Sequence, residues 1–237
     1  MRSSIWIGFD PREAAAFAVA KLTAARLTTQ PIPIRGIILD EMREQGLYRR
    51  PTSRRDGRLW DDISDAPMST EFAISRFLTP ILAKDGLALF MDADMLVRGS
   101  LVPVFEYAKA HPQYAVLCVK HNFAPPEGVK MDGQLQTLYA RKNWSSVMMF
   151  NCDHPANRKL TVELINTVPG RDLHRFCWLE DHEIGALPAE WNYLVGHTKV
   201  DEEPRIVHFT DGIPSMPGYE QAEYADEWRA ALHLWAR

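Results

Sequence analysis

The chain has 237 residues, of which 46% are hydrophobic and 24% charged, with a net charge of -4. That length supports a single domain over residues 1–237 with a substantial core, and the mild acidity excludes a general nucleic-acid binder. Cys118, Cys152 and Cys177 form no CxxC pair and read as reduced core residues of a cytoplasmic protein; no apolar run reaches membrane-spanning length, so only peripheral membrane contact is left open.

Residues 5–9 are apolar and predict a first strand that delivers Asp10. Asp10-Pro11-Arg12-Glu13 then offers an N-cap, a proline at N1 and the acidic N3 of a capping box, so an alanine-rich helix is expected from 11 to about 27. A second strand at 32–39 makes the opening strand, helix, strand, which predicts an α/β fold. Between 48 and 62 the pattern breaks down. Arg49, Arg50, Arg54, Arg55 and Arg58 are interspersed with Pro51, Gly57 and aspartates, and the segment reads as a mobile, solvated surface loop. Ser69-Thr70 can cap a helix through Phe72, Ile74, Phe77 and Leu78, which Pro80 should end or kink.

Next comes Leu87-Ala88-Leu89-Phe90-Met91-Asp92-Ala93-Asp94, an apolar run that stops on two carboxylates. Five apolar residues in a row predict a strand covered on both faces, and ligands of such sheets bind beyond the carboxyl ends of the strands. Two aspartates at that edge repel each other unless a cation lies between them, and Ala93 leaves room for backbone to approach a ligand. The plainer reading of the pair is a turn cap. Further elements follow in order: a short helix near 102–108, a strand at 114–119, a long loop over the sheet at 121–133, a buried strand at 147–151 and a helix at 156–167. A late strand at 205–209 and an amphipathic helix at 219–235, carrying Trp228, Leu232 and Trp235, complete the chain.

Taken together, Met68-Ser69-Thr70-Glu71-Phe72-Ala73-Ile74-Ser75-Arg76-Phe77-Leu78-Thr79-Pro80 and residues 87–100 resemble the core of family eight glycosyltransferases, which pair an S-T-x-x-x-x-R-[FL] helix with a strand ending in L-D-x-D. Ile7-Gly8-Phe9-Asp10 resembles their first strand, residues 144–151 their F-N-x-G-V-x-N strand, Asp181-His182 their D-Q pair, Pro188-Ala189-Glu190-Trp191-Asn192 their L-P-x-x-W-N, and His208-Phe209 their H-F. The resemblance implies a GT-A fold, a Rossmann-like α/β architecture with a mixed, mainly parallel central sheet flanked by helices. It also implies a metal-dependent transferase that moves a hexose-type sugar from a nucleotide donor, UDP-linked, with retention. Asp92, Asp94 and His208 would be the metal ligands, and two carboxylates with one imidazole suit Mn²⁺ better than Mg²⁺. Gly8, Phe9, Asp10, Arg76, Ala93, Ser146 and His182 would line the donor, and Asp181 would serve the transferred sugar as the catalytic carboxylate.

Three departures stand out. Trp144 and Ser146 occupy the family's Asn and Gly positions, His182 replaces its Gln, and the lysine that follows H-F-x-G to grip the diphosphate has no counterpart after His208. Either another cation reaches the phosphates, with the 49–58 arginines as one source, or donor binding is weaker. The missing lysine favours a rival reading, a GT-A-like scaffold or carbohydrate-binding protein, which the retained Asp92, Asp94 and His208 oppose. A haloacid-dehalogenase phosphatase is disfavoured, because its D-x-D lies near the N-terminus and the pair here is followed by Met95-Leu96. The acceptor, whether saccharide, lipid-linked sugar or protein, is not legible.

Overall fold

In a computed structural model that describes residues 1–121 and 143–236, the chain opens as β1 (Ser3–Gly8), α1 (Ala14–Leu27), β2 (Ile34–Ile37) and α2 (Leu39–Glu44). A hairpin and short strand follow, β3 (Thr52–Arg55), β4 (Arg58–Asp61) and β5 (Ala66–Pro67), then α3 (Thr79–Ala83), β6 (Leu87–Met91), β7 (Met95–Val97), α4 (Val102–Ala110) and β8 (Val116–Cys118). The remainder is β9 (Val147–Asn151), α5 (Val162–Thr167), α6 (Gly170–His174), β10 (Ile184–Ala186), β11 (Tyr193–Leu194), β12 (Ile206–His208) and α7 (Ala225–Trp235). Beyond His121, the loop expected at 121–133 lies outside the described residues.

The central sheet has the order β10-β8-β9-β6-β1-β2, parallel throughout except for β9, which runs antiparallel to both neighbours. This is the mixed, mainly parallel sheet that the resemblance implied. Its two faces follow the strand period of two: Leu87, Leu89 and Met91 pack with residues of α1 and α4, while Ala88 and Phe90 pack on the opposite side with Phe72, Phe77, Ile165 and Leu173. A small sheet, β11-β12-β7, sits where the chain leaves β6. It is tied to α1 by the hydrogen bond from the Val97 amide to Thr23 Oγ1, 3.2 Å. No helix among the described residues is long and apolar enough to cross a membrane.

Several sequence-based expectations are corrected. The arginine-rich stretch is a hairpin, not a mobile loop, and Arg50 is among the most buried side chains, paired with Asp61 at 2.5 Å and donating to the carbonyls of Ile165 and Val168 at 2.7 Å. Burial tends to raise the Asp61 carboxyl, but the hydrogen bonds from Arg50 and Ser64 hold it below the usual range. Arg49 pairs with Glu163, and Arg55 pairs with Asp62 and Asp65 while covering the Trp60 ring. Ser69 and Thr70 cap no helix. Residues 71–74 are turns, a 3₁₀ turn covers Ser75–Leu78, and Pro80 falls in the first turn of α3, where its missing N–H costs nothing, so it opens a helix rather than ending one. Thr161 caps α5 through the Leu164 amide, and the helix begins there instead of at 156. The last helix starts at Ala225 after Tyr224 in the left-handed region, and buries Trp228 against the core, while Trp235 is 57% exposed.

Candidate metal centre

The carboxyl ends of β1 and β6 reach the same sheet edge because the two strands are parallel, with Ile7 opposite Met91. The chain therefore delivers Asp10 and Asp92 to one edge, the edge where ligands of such sheets bind. From Asp92 the backbone turns through buried Ala93 and Asp94 into β7, and β7 pairs antiparallel with β12 so that Met95 faces His208. Two backbone hydrogen bonds fix the turn, from the Asp92 amide to Ser146 O and from the Phe209 amide to Asp94 O, both 3.0 Å. Strand register thus carries an imidazole to a pair of carboxylates 114 to 116 residues away in the chain. One ligand atom from each of Asp92, Asp94 and His208 lies within 4.8 Å of the other two.

The electrostatics of the cluster suit a cation. Burial, opposed by Arg76 and reinforced by the negative charge of Asp94, pushes the Asp92 carboxyl up to about 6. His208 Nε2 stands 3.3 Å from Asp94 Oδ1. Two carboxylates and an imidazole at one sheet edge make a mixed oxygen and nitrogen donor set, and that set fits a divalent metal of the Mn²⁺ or Mg²⁺ kind. Arg76 lies beside Asp92 as a buried guanidinium in need of an anion: its Nη1 is 2.7 Å from Asp92 Oδ1 and 2.9 Å from Ser145 O, Nε donates to Ala73 O, and Cζ lies 5.3 and 5.2 Å from the Phe72 and Phe90 ring centroids.

The other residues named from sequence fall in different places. Asp10 reaches the edge, but its carboxylate accepts from the Arg12 amide, Arg12 Nε and Nη2, and the Glu71 amide at 2.7 to 3.0 Å. Burial would raise it; the Arg12 hydrogen bonds and those amides outweigh burial and hold it low. Gly8 and Phe9 also lie at this edge: Phe9 meets Phe17 edge-on, and a Cβ on Gly8 would stand 2.3 Å from the Phe72 ring. Gly8→Ala should cost about 1–3 kcal/mol of stability through overpacking, read as a lower melting temperature. An unchanged melting temperature would mean that Phe72 is free to move. Ser146 is buried, donating to Asn143 O at 2.7 Å and accepting from Asn192 Nδ2 at 2.8 Å.

Asp181 and His182 are not brought to the cluster. They are exposed in a 3₁₀ turn just before β10, and the Ala115 amide bonds Glu183 O. Through β8 and β9 that level corresponds to Leu87, the far end of β6 from Asp92. The separation along the strands is roughly 20 Å at ~3.3 Å per residue. The residue expected from the resemblance to be the catalytic carboxylate thus lies at the opposite edge of the sheet from the Asp92, Asp94 and His208 cluster.

The structure adds residues that the sequence reading passed over. Glu13 does not close a capping box with Asp10; instead burial, and then the negative charges of Asp94 and Asp10, push its carboxyl up to about 8. Its position in the first turn after a sheet-edge strand was the available signal. In the metal-free protein the folded state keeps this proton between the ordinary value of 4.5 and about 8 while the unfolded chain releases it, so stability falls as pH rises through that window. Glu13→Gln should leave the urea midpoint unchanged near pH 4.5 and raise it at pH 8. An equal effect at both pH values would contradict this. Asn192 is fully buried with Oδ1 3.0 Å from His208 Nδ1. Burial pushes the His121 imidazole down to about 4, and His174 Nδ1 is 2.7 Å from Ser145 Oγ.

The architecture has clear counterparts among solved structures. An active-site mutant of LgtC superposes with a TM-score of 0.63 at 16% identity, covering 98% of this chain and 95% of that one. GlyE of Streptococcus pneumoniae TIGR4 gives 0.61 at 14%, covering 99% of this chain and 61% of GlyE, and the bifunctional WbbM gives 0.61 at 13%, covering 98% and 49%. The chain thus spans about half the length of WbbM. The fold is the GT-A fold of glycosyltransferases, with an Asp, Asp, His cluster at the carboxyl end of β6. No protein-family model matches the chain. The chain belongs to the family of Protein CDI of Arabidopsis thaliana, with which it is 40% identical over 230 residues, covering 94% of this chain and 83% of that protein.

Proposed function

We propose that the chain is a metal-dependent glycosyltransferase of family eight type, transferring a hexose-type sugar from a UDP-linked donor, with retention, to a saccharide, lipid-linked or protein acceptor in the cytoplasm. The observation that carries this reading is the convergence of Asp92, Asp94 and His208 within 4.8 Å at the ligand-binding edge of a GT-A fold. A bound divalent ion, Mn²⁺ before Mg²⁺, would act there as a Lewis acid that neutralises the leaving diphosphate. The neighbour LgtC is a galactosyltransferase solved with donor and acceptor sugar analogs, and it shares the fold at 14% identity with a TM-score of 0.57. In this proposal Arg76 sets the orientation of Asp92, and the turn at Ala93 gives the donor its close approach.

One observation favours a second reading. With Asp181 at the far edge and no lysine after His208, the chain could bind metal and nucleotide sugar without transferring the sugar, as a carbohydrate-binding or scaffold protein. A thermal-shift panel of nucleotide sugars with and without Mn²⁺ tests the binding that both readings require, since a ligand selective for the folded state raises the melting temperature by mass action. Slow Mn²⁺-dependent hydrolysis of the same donor then supports the transferase. Binding without hydrolysis across the donor panel supports the scaffold, and absence of any Mn²⁺-dependent shift sinks both.

A further inference from the structure

Behind His208 runs a chain of hydrogen bonds whose direction can be settled by counting protons. The Ser146 hydroxyl has a single proton and gives it to Asn143 O at 2.7 Å, so toward Asn192 it can only accept. The group at 2.8 Å from it must then be the Asn192 NH₂, a donor. That places the Asn192 carbonyl oxygen toward His208 Nδ1 at 3.0 Å, where a carbonyl requires a donated hydrogen. Nδ1 therefore carries the proton of the neutral ring, and the lone pair is on Nε2, which faces the Asp94 carboxylate at 3.3 Å. A lone pair aimed at a carboxylate is an arrangement that a cation between them stabilises. Asn192 and Ser146 are both buried, so water does not compete for these bonds.

We infer that Asn192, itself held by Ser146, is a positioning residue that fixes His208 as its Nδ1–H tautomer and so presents Nε2 as a metal ligand. The inference deepens the metal reading of His208 and rests on it. Partners of this kind orient metal-binding imidazoles, and their loss typically weakens metal affinity about 10–100-fold. Ser146, read from sequence as a donor contact, acts on this view one step behind the ligand. The Ser146→Ala change frees the Asn192 amide to rotate and should give an intermediate loss.

The test uses the full chain and two independent readouts. Mn²⁺ affinity, measured by calorimetry with Mn²⁺ alone, should fall about 10–100-fold in Asn192→Leu and be restored in Asn192→Asp, whose carboxylate still accepts from Nδ1–H while the Ser146 hydroxyl turns to donate to it. Two-bond proton–nitrogen spectra of histidine-labelled, metal-free protein at pH 9, with His208 assigned through His208→Gln, should show a proton on Nδ1 and none on Nε2. A proton on Nε2 in the wild type overturns the inference, as does Asn192→Leu with wild-type Mn²⁺ affinity. Loss of affinity in both Asn192 variants also overturns it, because a merely structural site would not be rescued by an acceptor. A wild type with the Nδ1–H tautomer that binds no Mn²⁺ supports the positioning role and instead defeats the metal reading.

Discussion

Asp94→Asn is expected to abolish the Mn²⁺-dependent rise in melting temperature while leaving the metal-free protein as stable as the wild type, or more so, at pH 8. The two effects have one origin. In the absence of a cation, Asp94 is one of the charges that push the Asp92 carboxyl up to about 6, so neutralising it relieves repulsion in the folded state. A carboxyl whose folded value is raised contributes stability below its ordinary 3.8 and loses it as pH climbs through about 6, which is why the gain belongs at pH 8 and not at pH 4. With the metal, the same substitution removes a charged ligand, and the loss should exceed the ~10–100-fold typical of partners one shell further out. Asp92→Asn should also lose metal binding, but it strips Arg76 of its counter-charge, so its effect on stability mixes two terms. Asp94 is the cleaner probe. A wild-type Mn²⁺ shift in Asp94→Asn would remove the metal assignment altogether.

Arg50→Met should be the most damaging single change to the fold. The Arg50 and Asp61 side chains are 0% and 1% exposed, and Arg50 also satisfies the carbonyls of Ile165 and Val168, binding the hairpin β3–β4 to the carboxyl end of α5. Removing one partner of a buried ion pair leaves the other charge in a poorly solvated site, which costs about 3–5 kcal/mol. For a chain of this size each kcal/mol lowers the melting temperature by about 2–4 °C, so a fall of roughly 6–20 °C is expected in a thermal melt. A drop of less than about 2 °C would mean that the pair is solvated. Exposed pairs such as Arg2–Asp85 should by contrast be removable with little effect.

These two residues mark the limits of what the chain reveals in one dimension. Asp94 was legible because an apolar run that stops on two carboxylates can be read locally: strand burial and charge repulsion act over a few residues. Arg50 was not, since an arginine among prolines, glycines and aspartates has the composition of a solvated loop, and only the carbonyls of Ile165 and Val168, more than a hundred residues away, make it a core residue. The distance of Asp181 from the cluster was hidden for a related reason. Order along the chain matched it to a catalytic block, but its position depends on how β10 pairs with β8, and register is set by partners that the local sequence does not contain.

Acting alone, the amino-acid sequence determined the α/β alternation, the doubly covered strand β6, the carboxylate pair at its end and the imidazole on the late strand, because hydrophobic period and turn chemistry are properties of short segments. Tertiary structure alone decided which edge each residue reaches. It set His208 opposite Met95, Glu13 beside the carboxylates, Asn192 behind the imidazole and Asp181 at the far end of the sheet, because strand pairing and burial join segments whose separation in the chain carries no distance information.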